Sequence, residues 1–364
     1  MKLNIPESIK AIPAYVPGKP IETLEREYGI RNSIKLASNE NPLGPSPRAM
    51  AAIAAATGGL HRYPDGACHE LTHKLSAHLH IDPVNIVPGN GSDDLLALLA
   101  LVLLQPGDEV IVPAPSFLLY ASSAQTACAV PVVVPLKEMR IDLDEMLARV
   151  SRRTRLIFIC NPNNPTGTVV GRQAFETFLE ALPEQVVVVL DEAYFEFVRD
   201  PDCPDGTAYL GSRVPVVTLR TFSKVYGLAG LRVGYGIMPR ELAELLHRVR
   251  MPFNVNTLGQ VAAAAALDDA PFVQKTVQLV HQGLDFLYAE LSRRGLGYFP
   301  TQSNFFLIDV GRSAEAVFEA MLRQGVIVRS MRSYGYPNYI RINAGLPEEN
   351  RRFLDALDKV LEQG

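Results

Sequence analysis

Lys224 stands in the run Thr221-Phe222-Ser223-Lys224-Val225-Tyr226-Gly227-Leu228-Ala229-Gly230-Leu231-Arg232-Val233-Gly234-Tyr235-Gly236. Two hydroxyl residues come just before it, and small or apolar residues surround it. A cation so placed is costly to desolvate unless its amine is put to use. Such an amine is a good Schiff-base nucleophile toward a carbonyl carbon. Arg232 adds a fixed positive charge of the kind a phosphate ester binds. Taken alone, a lysine beside a glycine-rich turn is also an ordinary surface residue, so the neighbouring clusters decide.

Three further clusters bear on the same chemistry. In Pro88-Gly89-Asn90-Gly91-Ser92-Asp93-Asp94 the glycines let backbone N–H groups converge on an anion where a helix begins. A plain turn with an aspartate cap is the structural alternative. It is not a P-loop, because no Gly-Lys-Ser/Thr ending follows. In Asn161-Pro162-Asn163-Asn164-Pro165-Thr166-Gly167 two prolines stiffen the loop, so an asparagine amide can be held over a site. The third, Asp191-Glu192-Ala193-Tyr194, closes an apolar run, and a carboxylate at the tip of a buried strand needs a partner. A protonated pyridine nitrogen is a suitable one, because the ion pair keeps the ring electron-withdrawing. Lysine, carboxylate and anion site together point to pyridoxal phosphate (PLP).

A competing motif is His69-Glu70-Leu71-Thr72-His73, which matches the H-E-x-x-H pattern of zinc hydrolases and puts two imidazoles on one helical face. No G-x-x-H continuation follows it. No G-x-S-x-G elbow supports a hydrolase triad either. The expected metal content is none.

The elements that must position these residues alternate along the chain. Short apolar runs predict strands over 85–88, 109–113, 130–135, 155–160, 186–190, 215–220 and 231–237, with helices such as 93–104, 173–182 and 240–249 between them. Nearly continuous apolar strands are those covered on both faces. The predicted fold is therefore α/β: a mostly parallel seven-stranded sheet with helices on both faces. Ligands in such sheets lie beyond the carboxyl ends of the strands. After about residue 257 a long helical region, 258–294, leads into a smaller C-terminal α+β domain. The predicted division is 1–31 as an N-terminal arm packing with the small domain, 32–256 as the large domain and 257–364 as the small one. The proline-rich start is too irregular for a core element and is expected to wrap over other surfaces.

With 364 residues, two domains are expected. Apolar residues make up 48% and net charge is −4, which fits a soluble globular protein and argues against nucleic acid as a partner. The apolar stretch 95–104 is too short to cross a bilayer. Met1-Lys2-Leu3-Asn4-Ile5-Pro6 lacks a signal-peptide core. Cys68, Cys128, Cys160 and Cys203 lack C-x-x-C spacing and read as reduced thiols of a cytoplasmic protein.

In order along the chain, Pro13-Ala14-Tyr15-Val16-Pro17-Gly18-Lys19-Pro20, Ser38-Asn39-Glu40-Asn41-Pro42, Arg62-Tyr63-Pro64-Asp65-Gly66, the clusters above, Asn254-Val255-Asn256 and Tyr339-Ile340-Arg341-Ile342 resemble the fold-type-I PLP-dependent aminotransferases. The resemblance covers essentially the whole chain and is strongest to the histidinol-phosphate aminotransferase family. It implies that Lys224 carries the Schiff base and shuttles the proton, and that Asp191 pairs with the pyridine nitrogen. Tyr194 and Asn164 would bond the ring oxygen, and Phe117 would stack on the ring where many relatives have tyrosine. Gly91, Ser92, Asp93, Thr221, Ser223 and Arg232 would hold the cofactor. Tyr63 would reach the cofactor phosphate of a neighbouring subunit, which implies a homodimer with shared sites. Arg341 would grip the α-carboxylate, and Arg329, Tyr15 and Asn39 would line the substrate pocket. Asp94 stands where a glutamate is common, and Asn343-Ala344-Gly345-Leu346 departs from the usual Thr/Gly-Thr run.

The implied activity is ping-pong transamination between glutamate/2-oxoglutarate and histidinol phosphate/imidazole-acetol phosphate. An aromatic-amino-acid aminotransferase and a threonine-phosphate decarboxylase are the alternatives on the same fold.

Overall fold

A computed structural model describes residue 3, residues 5–14 and residues 18–362. Tyr15 lies outside the described residues. The thirteen strands among the described residues are β1 (Ile34–Lys35), β2 (Ile86–Gly89), β3 (Glu109–Ala114), β4 (Val130–Pro135), β5 (Thr154–Cys160), β6 (Val187–Asp191), β7 (Val216–Thr221), β8 (Gly234–Ile237), β9 (Gly297–Phe299), β10 (Phe305–Asp309), β11 (Val326–Ile327), β12 (Arg329–Ser330) and β13 (Tyr339–Asn343). Seven of them form one sheet in the order β2-β8-β7-β6-β5-β3-β4. β8 runs antiparallel to both of its neighbours, and every other pair is parallel.

The central strands are buried along their length, β6 and β7 at every residue, which explains their unbroken apolar sequences. β4, Val130-Pro131-Val132-Val133-Val134-Pro135, lies at the sheet edge, where prolines that cannot donate to a ladder are tolerated. Helices cover both faces: Ser92–Leu103 and Arg240–Val249 pack in one cluster, and Arg172–Ala181 in another. Among the described residues no helix is long and apolar enough to cross a membrane, and all four cysteines are free.

A second sheet, β12-β13-β10-β9, carries the C-terminal α+β part. Three sequence expectations need revision. The helical region 258–294 is two helices, Thr257–Leu267 and Ala270–Arg293. Asp269 leaves helical geometry (φ −106°, ψ 54°) just before Pro271, which supplies no N–H to continue the first helix. The strand expected over 231–237 begins only at Gly234, because Ala229–Leu231 is a 3₁₀ turn and Arg232 adopts φ +54°. The proline-rich start contains a regular element after all. The helix Ile21–Tyr28 buries Leu24 against Ala37, Leu322 and Ile327. Beyond it, β1 pairs in parallel with β11, and Asn343 N–H donates to Leu36 O at 2.9 Å. The segment leading to Asn39 is thereby laid along β13.

Candidate active site

The carboxyl ends of β5, β6 and β7 open on a cavity of about 220 Å³ that also meets Arg329 and Arg341 from the second sheet. Thirteen of the residues predicted to act together line it: Asn39, Ser92, Asp93, Phe117, Asn164, Asp191, Tyr194, Thr221, Ser223, Lys224, Arg232, Arg329 and Arg341. Their convergence follows from topology. In a parallel sheet the loops after successive strands emerge at one edge, whatever their separation in sequence.

One end of the cavity is built for an anion. The Arg232 guanidinium donates to Ser223 Oγ at 3.3 Å and to Asp93 Oδ2 at 3.2 Å. Its left-handed backbone turns the side chain back over the start of the helix Ser92–Leu103. Space there is tight: a Cβ on Gly91 would lie 2.5 Å from Arg232 Nη2, and one on Gly234 would lie 2.4 Å from Ser92 N. Gly91, at φ +80°, thus lies under Arg232 without lining the cavity. Thr221 Oγ1 accepts the Ser223 N–H at 3.1 Å, fixing the turn into Lys224. Asp94 clamps the same turn from outside. Its Oδ2 accepts the Asn90 N–H at 3.0 Å and the Asn254 amide at 2.8 Å.

The floor holds Asp191, which is 4% exposed. Burial pushes its carboxyl up to about 6, against hydrogen bonds that favour the ionised form. These come from the Tyr120 hydroxyl to Oδ2 at 2.7 Å and the Ala193 N–H to Oδ1 at 3.2 Å. The next residue alternates to the other side of the strand. There Glu192 Oε2 accepts from Arg220 Nε at 2.9 Å, tying the ends of β6 and β7 together.

Lys224 is only partly covered at its surface. Its ammonium is nevertheless pushed down to about 8, first by desolvation and then by the positive charge of Arg341, while Glu40 and Asp93 oppose the change. An amine so placed is partly unprotonated near neutral pH. Its Nζ sits 5.5 Å from the centre of the Tyr194 ring. Burial raises the Tyr194 phenol well above its ordinary range. Asn39 Nδ2 donates to Tyr194 Oη at 2.9 Å, which leaves the phenol's own hydrogen to point elsewhere.

The opposite wall is a second anion site. Arg341 donates to Asn164 Oδ1 and, through Nη2, to Ala37 O at 3.0 Å. Its guanidinium also lies over Phe305, 5.0 Å from the ring centre. A planar cation fixed on three sides is suited to a two-point grip on a carboxylate. Asn343, the departure noted in the sequence, accepts the Asn39 N–H at 3.1 Å, so it ties the Asn39 segment to the strand that carries Arg341.

Tyr63 does not join this cavity in the same chain. It is 83% exposed, stacks on Phe253 with ring centres 4.8 Å apart, and borders a separate surface cavity with Leu60 and Leu258. His69 and His73 are exposed on the helix His69–Leu79 and do not line the cavity. Among the described residues, no group of three or more His, Cys, Asp or Glu could hold a metal ion. Sequence reasoning missed Tyr334, Cys160 and Gly18, which also line the cavity, and Tyr120. Tyr120 follows Phe117 by three residues across the turn that leads into the helix Leu119–Thr126, a spacing that could have marked it. Gly18 stands in the run 13–20 that carries the resemblance but was given no role there, whereas Tyr334 arrives through long-range packing and carries no local signal.

A half-buried lysine amine, a buried carboxylate and three arginines around one cavity, on this sheet, make the kind of site an aminotransferase needs. The chain matches the family aminotransferase class I and II over residues 31–357, and it belongs to that family. More particularly, it is 48% identical to histidinol-phosphate aminotransferase 2 of Carboxydothermus hydrogenoformans, over 98% of this chain and 99% of that protein. It is also 48% identical to histidinol-phosphate aminotransferase of Desulfotalea psychrophila, over 100% of this chain and 97% of that one. A solved structure of histidinol-phosphate aminotransferase from Sinorhizobium meliloti, in complex with pyridoxal-5'-phosphate, superposes with a TM-score of 0.91 at 28% identity, covering 100% of this chain and 99% of that one.

Proposed function

We propose that this chain is a PLP-dependent transaminase that exchanges an amino group between glutamate/2-oxoglutarate and histidinol phosphate/imidazole-acetol phosphate. The observation that carries the reading is the placement of Lys224 and Asp191 on one cavity, between the Arg232 anion site and the pair Arg329 and Arg341. The names of its full-length relatives support the substrate and do not favour the decarboxylase or aromatic alternatives.

The residues fit the cofactor. Its phosphate suits the donors Ser92, Thr221, Ser223 and Arg232 over the glycine floor. Its pyridine nitrogen suits Asp191, and its ring oxygen suits Asn164 and Tyr194, which line the same cavity. When bound, PLP supplies the electron sink for a carbanion at the substrate Cα.

The protein supplies binding and proton traffic. Arg341 forks the α-carboxylate, and Arg329 faces the second anionic group of either substrate, a carboxylate or a phosphate ester. Lys224 Nζ takes the Cα proton and returns it, helped by an amine pushed down to about 8. Phe117 covers one face of the site and excludes water. The exposed Tyr63, with Leu60, Met251 and Phe253 also exposed, supports a homodimer in which Tyr63 serves the neighbouring site. A biosynthetic role of this kind supports a cytoplasmic location.

The test follows the visible absorbance of the protein reconstituted with PLP. Glutamate should bleach it, and imidazole-acetol phosphate should restore it with formation of histidinol phosphate. No bleaching by glutamate, or carbon dioxide release from phosphothreonine without keto-acid formation, would overturn the assignment.

A further inference from the structure

Tyr120 belongs to the helix Leu119–Thr126, is 1% exposed and does not line the cavity. It reaches Asp191 from behind, with Oη 2.7 Å from Oδ2. Its ring is fixed from two directions. It stacks on Phe158 of β5, with centres 4.7 Å apart and planes 8° apart, and meets Phe117 edge-on at 5.6 Å. One side chain therefore touches both the Asp191 carboxylate and the Phe117 ring that lines the cavity. A hydroxyl offers a single proton, and the geometry spends it on Asp191.

We infer that Tyr120 is a positioning residue that holds the Asp191 carboxylate ionised and aimed at the cofactor's ring nitrogen. The inference rests on the PLP reading above. Each group facing Asp191 has an assignable effect. Burial and the Asp93 carboxylate of the helix Ser92–Leu103 push its carboxyl up. The Tyr120 hydroxyl, the Ala193 N–H and the Lys224 ammonium pull it down. The Cys160 thiol of β5 and the Tyr194 phenol, also nearby, are themselves raised by burial and stay neutral. Burial likewise holds the Tyr120 phenol well above its ordinary range, so it remains a donor throughout. Among these, Tyr120 is the one neutral side chain that donates directly to the carboxylate.

Replacing Tyr120 with phenylalanine keeps both ring contacts and removes only the donor. Losing a hydrogen bond to a charged group should raise the Asp191 carboxyl by about 1.5 pH units. The ionised fraction at pH 6.5 then falls roughly eightfold, whereas at pH 8.5 it hardly changes. The experiment measures the dissociation constant for PLP from the apoprotein by fluorescence quenching, for wild type and Tyr120→Phe, across this pH range. The expected ratio of constants is about eight at pH 6.5 and near one at pH 8.5. In an Asp191→Asn background the same substitution should change the constant by less than about twofold.

A role limited to packing would weaken binding equally at every pH and in both backgrounds, and that result overturns the inference. A second donorless variant, Tyr120→Leu, reads the same ratio if the phenylalanine variant does not fold. Failure of the wild-type chain to bind PLP would instead overturn the functional reading on which this one rests.

Discussion

Replacing Lys224 with methionine should abolish turnover and at the same time stabilise the apoprotein. Methionine matches the length of the lysine stem without its charge. The ammonium stands at about 8 in the folded chain against an ordinary 10.5, so folding costs about 3 kcal/mol of charge desolvation at pH 7. The side chain is partly open to the cavity, and solvent screening trims the figure to about 2 kcal/mol. The sign fixes the pH dependence. A lysine depressed in the folded state burdens it fully below the folded value, and the burden lifts as pH rises from about 8 toward 10.5. The stability gained by Lys224→Met should therefore fall to under about 1 kcal/mol at pH 9.5. Urea unfolding of the two apoproteins at pH 7 and pH 9.5 measures it, since their difference cancels every other titrating group. A variant no more stable than wild type at pH 7, or a gain unchanged at pH 9.5, would refute the reasoning.

The remaining predictions concern the anchors. Asp191→Asn leaves a buried ring cation without its counter-charge and should weaken PLP binding by roughly 10²–10³-fold, read by equilibrium dialysis of the apoprotein. Arg341→Lys replaces a planar fork with a point charge and should raise the KM for glutamate at least ~10-fold, with a smaller effect on kcat. If Tyr63 serves the neighbouring site, co-expressed Lys224→Ala and Tyr63→Ala chains form hybrid dimers with one intact site. Their activity should exceed the mean of the two homodimers, and simple averaging would count against a shared site.

Much of the site was legible because its parts lie next to strong local signals. Asp191 ends a strand buried at every residue, Asn164 sits in a proline-braced loop, and Ser92 opens a helix behind a glycine. Each is announced by its own neighbours. The break at Asp269 was less legible, since the Ala262–Ala266 run favours helix up to that point and only Pro271 opposes it. The late start of β8 depended on one left-handed residue, Arg232, whose identity gives no hint of positive φ. By its sequence Tyr120 is indistinguishable from a core aromatic, and packed as it is against Phe158 it also serves as one.

By itself the sequence determined the chemistry: a lysine amine, a carboxylate at a strand tip, a phosphate-type turn and an arginine on a late strand. It also determined the sheet that carries them, since strands covered on both faces must be apolar and the order of elements leaves few topologies. Tertiary structure alone decided how those groups act on one another. Burial brought the Lys224 ammonium and the Asp191 carboxyl toward neutrality from opposite directions, because desolvation opposes either charge. It also gave Asp191 a hydroxyl donor from 71 residues away and tied Asn39 to Asn343 across 304. Such contacts depend on distances in the folded chain, which no local run of residues encodes.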